Sequence, residues 1–158
     1  MTQFNPTQLG PIPQDVILSM SGIALFQKIM AGDLPAPGVC AVSNQWMIEA
    51  EEGRVLWECS PPAGFTNPMG GVHGGWAMTV LDSALGCAVH SALPAGRGYT
   101  TIEVKTNLTR APVVGDTYRC EGRLITLGRR TGTSEAKLTD DKGRVVAFGT
   151  TTCLIFGG

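Results

Sequence analysis

Residues Asn67 to Gly86 read "NPMGGVHGGWAMTVLDSALG", a polar, glycine-rich turn that opens into an apolar stretch whose single charge is Asp82. The apolar run continues to Leu93 and is closed by Pro94 and Gly96, so one long helix is expected over Gly74 to Leu93. Apolar residues fall on every side of that helix, the pattern of a core element. At ~100° per residue, Asp82 shares its face with Gly75, Met78, Leu85, Gly86 and Val89, and no Lys or Arg lies three or four positions away. A buried carboxylate without a partner is costly. Either a strand brings it a cation, with Lys105 and Arg110 available, or backbone amides, or it is a catalytic carboxylate in a partly desolvated cleft, acting as base or nucleophile.

The turn before the helix supplies a second chemical element. Gly71, Gly74 and Gly75 let the backbone approach a ligand closely. The first amides of a helix have no internal partner and sit at the positive end of its dipole, which suits a developing oxyanion. Asn67, six residues before His73, could orient a carbonyl or a water, whereas the backbone position of His73 matters more than its ring. Gly74 and Asp82 are eight residues apart, or ~12 Å along the axis, yet a reacting carbon must lie about 3 Å from both its donors and its attacker. One chain cannot supply both. Two antiparallel copies of the helix about a twofold axis can, so a homodimer with two shared sites is expected.

The segments around the helix set the class. "SGIALFQKIMAG" has the spacing of a short amphipathic helix with Ser21 as N-cap and Gly32 past its end. Strands are expected over about Val39 to Ala50 and Arg54 to Ser60, joined at "EEG". After the helix, "YTTIEVKTNLT", "TYRCEGRLITLG", "TGTSEAKLTD" and "RVVAFGTTTCLIF" alternate like strands with short links, which favours antiparallel neighbours. The expected class is α+β, an antiparallel sheet of five to six strands wrapped on one buried helix. Residues 1–20, rich in Pro and Gln, are expected as a loosely packed leader before a single domain over residues 21–158.

Composition narrows the function. The 158 residues are 43% hydrophobic and only 16% charged, with a net charge of −1. That balance fits one domain that hides surface in an oligomer. It offers no basic tract for nucleic acid and no apolar run long enough to span a bilayer. The N-terminus lacks the features of a secretory signal. Five cysteines without a C-x-x-C and two histidines point to reduced core thiols in a cytoplasmic protein, with no metal-ligand spacing.

With Asn67, then His73-Gly74-Gly75, then an acid nine positions after the histidine, the chain resembles hotdog-fold acyl-CoA thioesterases of the phenylacetate-pathway (PaaI) type. The likeness extends through "LPAGRGYTTIEVKTNLTRAPVVGD", "GRRTGTSEAKL" and "DDKGRVVAFGTTT". It implies a sheet wrapped on the long helix, pairing of subunits through their sheets, and dimers that stack into tetramers. Asp82 would be the nucleophile or the base that activates water. The Gly74 amide of the partner chain would polarise the thioester carbonyl, and Asn67 would position the carbonyl or the water. A small hydroxyl residue on the following strand would complete the site. Thr101 matches it best, although simple alternation puts Thr101 on the polar face with Glu103 and leaves Thr100 as the fallback. Coenzyme A would arrive as part of the substrate, its phosphates met by Arg129, Arg130 and Arg110, and no cofactor would be needed. The acyl pocket is expected near Met78, Leu85 and Val89, with Trp76 or Phe65 as walls. The rival readings are a hotdog enoyl-thioester hydratase or dehydratase and a non-catalytic acyl-CoA sensor.

Overall fold

A computed structural model of the chain describes residues 8–158, and the first seven residues of the expected leader lie outside the described residues. The chain runs through helices α1 (Gln14–Leu18), α2 (Gly22–Ala31) and α3 (Gly38–Ser43), strands β1 (Gln45–Glu51) and β2 (Arg54–Cys59), helix α4 (Gly74–Ser91), and strands β3 (Arg97–Leu108), β4 (Tyr118–Leu127), β5 (Thr131–Thr139) and β6 (Val145–Gly157). The six strands form one sheet in the order β1-β2-β4-β5-β6-β3, every pair antiparallel. The sheet curls around α4, which touches all six strands. This is the hotdog arrangement that the resemblance implied. Among the described residues no helix is long and apolar enough to cross a membrane.

Local chemistry explains most boundaries. Ser21 caps α2 by accepting the Ala24 amide, and Gly32 ends it in the left-handed region at φ 83°. The expected strand over Val39 to Ala50 is corrected in its first half. Residues 39–43 belong to α3, which ends at Asn44 in the left-handed conformation at φ 51°, and β1 starts only at Gln45. Pro37 supplies the helix-compatible entry, and short-range propensity in "GVCAVS" is too even to separate helix from strand. Part of the leader is also tied down. Leu9 bridges to Ala36, and the Gly96 amide donates to the Leu18 carbonyl at 2.7 Å.

The core is built on α4. Trp76, Val80, Leu81, Ala84, Leu85 and Ala88 have no solvent exposure and pack on Val55, Cys120 and Leu138 of the sheet. The Trp76 indole N–H donates to the Ser43 carbonyl at 2.8 Å, which fixes α3 against α4. Gly122 is required by close approach, because a Cβ there would meet the Ala84 carbonyl oxygen of α4. All five cysteines are free thiols and four are buried.

The helix is not enclosed on every side, contrary to the even spread of its apolar residues. Met78 is 44% exposed, Asp82 is exposed, and Gly75 is half-buried. This open sector lies beside β3, one of the two edge strands of the sheet. Along that edge Ile102, Val104 and Leu108 are 58%, 37% and 48% exposed.

Candidate active site

The site is assembled from the start of α4 and the middle of β3. In the loop before α4, the Asn67 side-chain oxygen accepts the amides of Met69 at 2.9 Å and Gly71 at 3.2 Å. The Asn67 amide donates to the Gly71 carbonyl at 2.8 Å, so this residue staples the loop on itself. The His73 amide donates to the Phe65 carbonyl at 2.7 Å, and its ring Nδ1 accepts the Gly75 amide at 2.9 Å. His73 is thus the N-cap of α4.

That cap separates the two glycines expected at the helix tip. The Gly75 amide is taken by the His73 ring, and the Trp76 amide bonds the His73 carbonyl at 3.0 Å. The Gly74 amide has no hydrogen-bond partner among the described residues. It is a donor at the positive end of an 18-residue helix. A Cβ on Gly74 would lie 2.6 Å from a Leu108 methyl, so glycine also serves the packing of β3 on the helix start.

Thr101 stands against Asp82. Its hydroxyl donates to an Asp82 carboxylate oxygen at 3.2 Å. Simple alternation, which placed Thr101 on the outer face, fails because β3 carries a bulge between Thr101 and Glu103. One extra residue, Ile102, inverts the phase. Tyr99 and Thr101 pair with Ile155 and Cys153, Val104 and Leu108 with Thr151 and Ala147, and all four partners are buried. Thr101 therefore joins the helix-facing set, while Thr100 pairs with exposed Leu154 on the outer face. Lys105, beyond the bulge, pairs with exposed Thr150 on that outer face. Neither Lys105 nor Arg110 is ion-paired with Asp82, and no cation stands within salt-bridge reach of it among the described residues.

Beyond Thr101 the wall turns apolar. Tyr99 covers Gly86, where a Cβ would lie 2.7 Å from the phenol. Burial pushes the Tyr99 hydroxyl well above its usual range and Cys87 up to about 12, so both stay neutral. Neither residue stood out from its spacing. The signal for Tyr99 was Gly86, a small residue mid-helix where a ring could lie.

The expected phosphate-binding arginines divide. Arg129 and Arg130 meet Arg97 around a cleft of about 510 Å³ that Phe156, Gly157 and Gly158 complete. The Arg97 guanidinium donates to the Arg129 carbonyl, and none of the three is in a salt bridge among the described residues. Arg97 was not anticipated, although it lies between two glycines at the start of β3. Arg110 follows the other end of β3 and lines a separate cavity with Asp140, Asp141 and Arg144, so it is not part of this group. The residues expected around the acyl pocket also divide. Leu85, Val89 and Trp76 are fully buried in the core, Phe65 is only partly buried beside it, and Met78 faces outward.

The sequence model of the thioesterase superfamily matches residues 69–147, half of the chain. The chain belongs to the thioesterase superfamily. The match begins in the loop before α4 and runs into β6, so it takes in the helix tip, Asp82 and Thr101. Solved structures agree with this thioesterase fold. A phenylacetic acid degradation-related protein of Ralstonia eutropha JMP134 superposes with a TM-score of 0.75 at 26% identity, over 82% of this chain and 98% of its own. A Streptococcus mutans UA159 protein bound to acetyl-CoA gives 0.67 at 27% identity, over 72% and 90%. The PaaI protein from the phenylacetic acid degradation operon of Escherichia coli gives 0.74 over 87% and 95%, and at 18% identity it shows the fold alone. The search of curated proteins finds no match.

Proposed function

We propose that the protein is a homodimeric acyl-CoA thioesterase whose two sites each combine Asp82 of one protomer with the Gly74 amide of the other. The observation that carries this reading is a division of labour on one helix. Among the described residues the Gly74 amide lacks a partner, and Asp82 is exposed without a cation but held by Thr101 at 3.2 Å. Eight residues keep these groups ~12 Å apart within a chain, too far for one carbonyl. The open sector of α4 and the unpaired edge of β3 lie on the same side. Pairing two β3 edges about a twofold axis lays the helices antiparallel and covers Ile102, Val104 and Leu108. The acetyl-CoA bound to the Streptococcus mutans relative supports an acyl-CoA substrate.

In this site the thioester oxygen accepts the Gly74 amide, which stabilises the oxyanion as it forms. Asp82 either removes a proton from the attacking water or attacks the carbonyl carbon itself. Thr101 holds the carboxylate in the orientation for that step. The C–S bond breaks, the acyl carbon gains water's oxygen, and the thiolate takes the proton. Asn67 is a positioning residue that keeps the loop closed. The guanidiniums of Arg129 and Arg130 take phosphate through their planar forks. The cleft they line also holds Arg97 at the start of β3, which is four residues or ~13 Å along the strand from Thr101, within the reach of a pantetheine arm. The chemistry calls on no cofactor. The hydratase alternative needs a histidine free to shuttle a proton, whereas Nδ1 of His73 is committed to the Gly75 amide.

Mixing two inactive chains tests the shared site. Gly74→Pro removes the amide at the first helical position, where proline costs no helix hydrogen bond, and its Cβ requires only the tip of the exposed Leu108 side chain to shift. His73, at φ −66° and ψ 133°, already has the backbone that a following proline demands. Asp82→Asn and Gly74→Pro homodimers are each expected to be inactive in an acyl-CoA thiol-release assay. After confirmed subunit exchange, half the dimers carry one intact site, so about a quarter of wild-type activity returns. Activity that stays at the level of the separate variants would sink the reading.

A further inference from the structure

A reaction centre shared between two copies also sets the register in which their β3 edges meet. Within the chain Thr101 stands against Asp82 at 3.2 Å. Leu108 lies against Gly74, where a Cβ would be 2.6 Å from its methyl. Bringing Asp82 to Gly74 of the partner subunit therefore brings Thr101 to Leu108 of the partner subunit. The faces of the strand agree, because opposed residues of antiparallel strands must lie on one side of the sheet. Thr101 precedes the bulge, Leu108 follows it, and both belong to the helix-facing set. With Ile102 as the extra residue, Glu103 meets Asn107, Val104 meets Thr106, and Lys105 meets its own copy, each pair on a common face. The neighbouring register that keeps the faces matched pairs Val104 with itself and sets Glu103 opposite Lys105. In either one Lys105, which has no ion pair among the described residues, gains Glu103 of the partner subunit as a direct or diagonal neighbour.

The strand ends follow from the same register. Arg110 of the partner subunit falls opposite Tyr99 in the first case and opposite Arg97 in the second. Tyr99 is only two residues, ~7 Å, along the strand from Arg97, and paired strands run ~4.8 Å apart. Arg97 lines the cleft of about 510 Å³ that also holds Arg129 and Arg130. Within one chain Arg110 lies past the far end of β3 from that cleft, but in an antiparallel pair the far end of one strand is the near end of the other. Arg110 is free to serve there. It is exposed and in no salt bridge among the described residues. Its amide and that of Thr109 donate to the Val146 carbonyl at 3.1 and 2.9 Å, which holds the backbone beside β6 past the end of β3. We infer that Arg110 of the partner subunit completes the cleft of Arg97, Arg129 and Arg130, so that the phosphates of coenzyme A are held across the dimer. Converging guanidiniums repel one another until an anion lies between them, which suits this cleft to a polyanion. The inference rests on the thioesterase reading above and extends it from the reaction centre to the nucleotide end of the substrate.

The test silences one site of a mixed dimer and reads KM from the other. When Asp82→Asn and Gly74→Pro chains pair, the surviving site takes its acid and its cleft from the Gly74→Pro chain. Its helix tip comes from the Asp82→Asn chain. Arg110→Ala added to the Asp82→Asn chain is expected to raise KM for an acyl-CoA about tenfold, the order of one hydrogen bond to a charged group, with kcat little changed. Added to the Gly74→Pro chain, the same substitution falls in the silenced site and KM stays where it was. Arg129→Ala with Arg130→Ala shows the reverse dependence, raising KM only on the Gly74→Pro chain. An S-acyl-pantetheine, which lacks the phosphates, registers none of these changes. KM does not depend on how much active dimer forms, so incomplete exchange does not blur the result. A KM that rises with Arg110→Ala on the Gly74→Pro chain, one indifferent to both placements, or one that rises equally for the pantetheine ester overturns the inference and leaves the thioesterase reading intact. A mixed dimer without activity overturns that reading, and this inference with it.

Discussion

The two halves of α4 are alike in composition and opposite in environment. From Ala84 to Ser91 all residues but Cys87 are buried, and Tyr99 closes the last gap over Gly86. From Gly74 to Asp82 the helix buries Trp76, Ala77, Val80 and Leu81 but leaves Met78 and Asp82 open. One half anchors the sheet, and the other presents a carboxylate and an amide to whatever covers them. The difference comes from β3, whose bulge aims Thr101 at the helix and whose exposed residues stop short of enclosing it.

The sharpest way to break this contrast is a pair of substitutions, one in each half. Asp82→Asn should lower kcat about 10²- to 10⁴-fold while urea midpoints of the exposed site stay almost unchanged. Leu85→Ala, at a position with no exposure, should cost about 2–5 kcal/mol in urea unfolding while kcat per folded molecule holds. If Asp82→Asn unfolds the chain, or Leu85→Ala abolishes turnover without loss of stability, the two halves do not divide the work in this way.

The buried half also predicts a pH response. His90 is 6% exposed, packed between the Phe26 and Tyr99 rings, with Nε2 lacking a partner among the described residues. Burial lowers its pKa from 6.5 to about 4. The unfolded chain therefore binds this proton first as pH falls. The neutral histidine's contribution is fully present above pH 6.5 and is lost progressively toward pH 4, by roughly 3 kcal/mol in all. Unfolding free energy measured from pH 7 to pH 4.5 should decline, and His90→Gln should flatten that decline. Buried histidine acts above the range where Glu121 and Asp140, whose pKa values their arginine partners and hydrogen bonds lower, lose their contribution. An unchanged slope in the variant would place the acid sensitivity elsewhere.

The smallest effect sharpens the open half. Thr101→Val removes one hydroxyl contact to Asp82 and should lower kcat about tenfold with KM little changed, the order of one hydrogen bond to a charged group. Thr101→Ser should restore most of it. A fall shared equally by both variants would mean that the threonine methyl, not the hydroxyl, matters at this position.

Much of this molecule was legible in one dimension. Gly32 and Ser21 announced the limits of α2, and the run from Gly74 to the "LPAG" stop announced α4 to within two residues. The spacing of His73, the glycines and Asp82 on one helix is local, so 1.5 Å per residue was enough to show that a single chain cannot bring them together. Other features were not readable. The helical turn at residues 38–43 came from packing, with Trp76 holding the Ser43 carbonyl, because local propensity there is nearly balanced. The surroundings of Leu85 and Val89 were unreadable for a related reason. Periodicity marks a residue as apolar but does not say whether sheet or cavity lies beside it.

Sequence alone thus determined the fold class and the placing of Asp82 and the glycine tip on one helix, because each depends on neighbours within a few residues along one element. Tertiary structure alone decided that Thr101 faces Asp82, that Arg97 joins Arg129 and Arg130 while Arg110 does not, and that Leu85 and Val89 lie buried in the core. Those facts depend on a one-residue bulge and on which strand ends meet across the sheet. Contacts between residues far apart in the chain are set by the register of the whole sheet, and a single extra residue reverses every side chain beyond it.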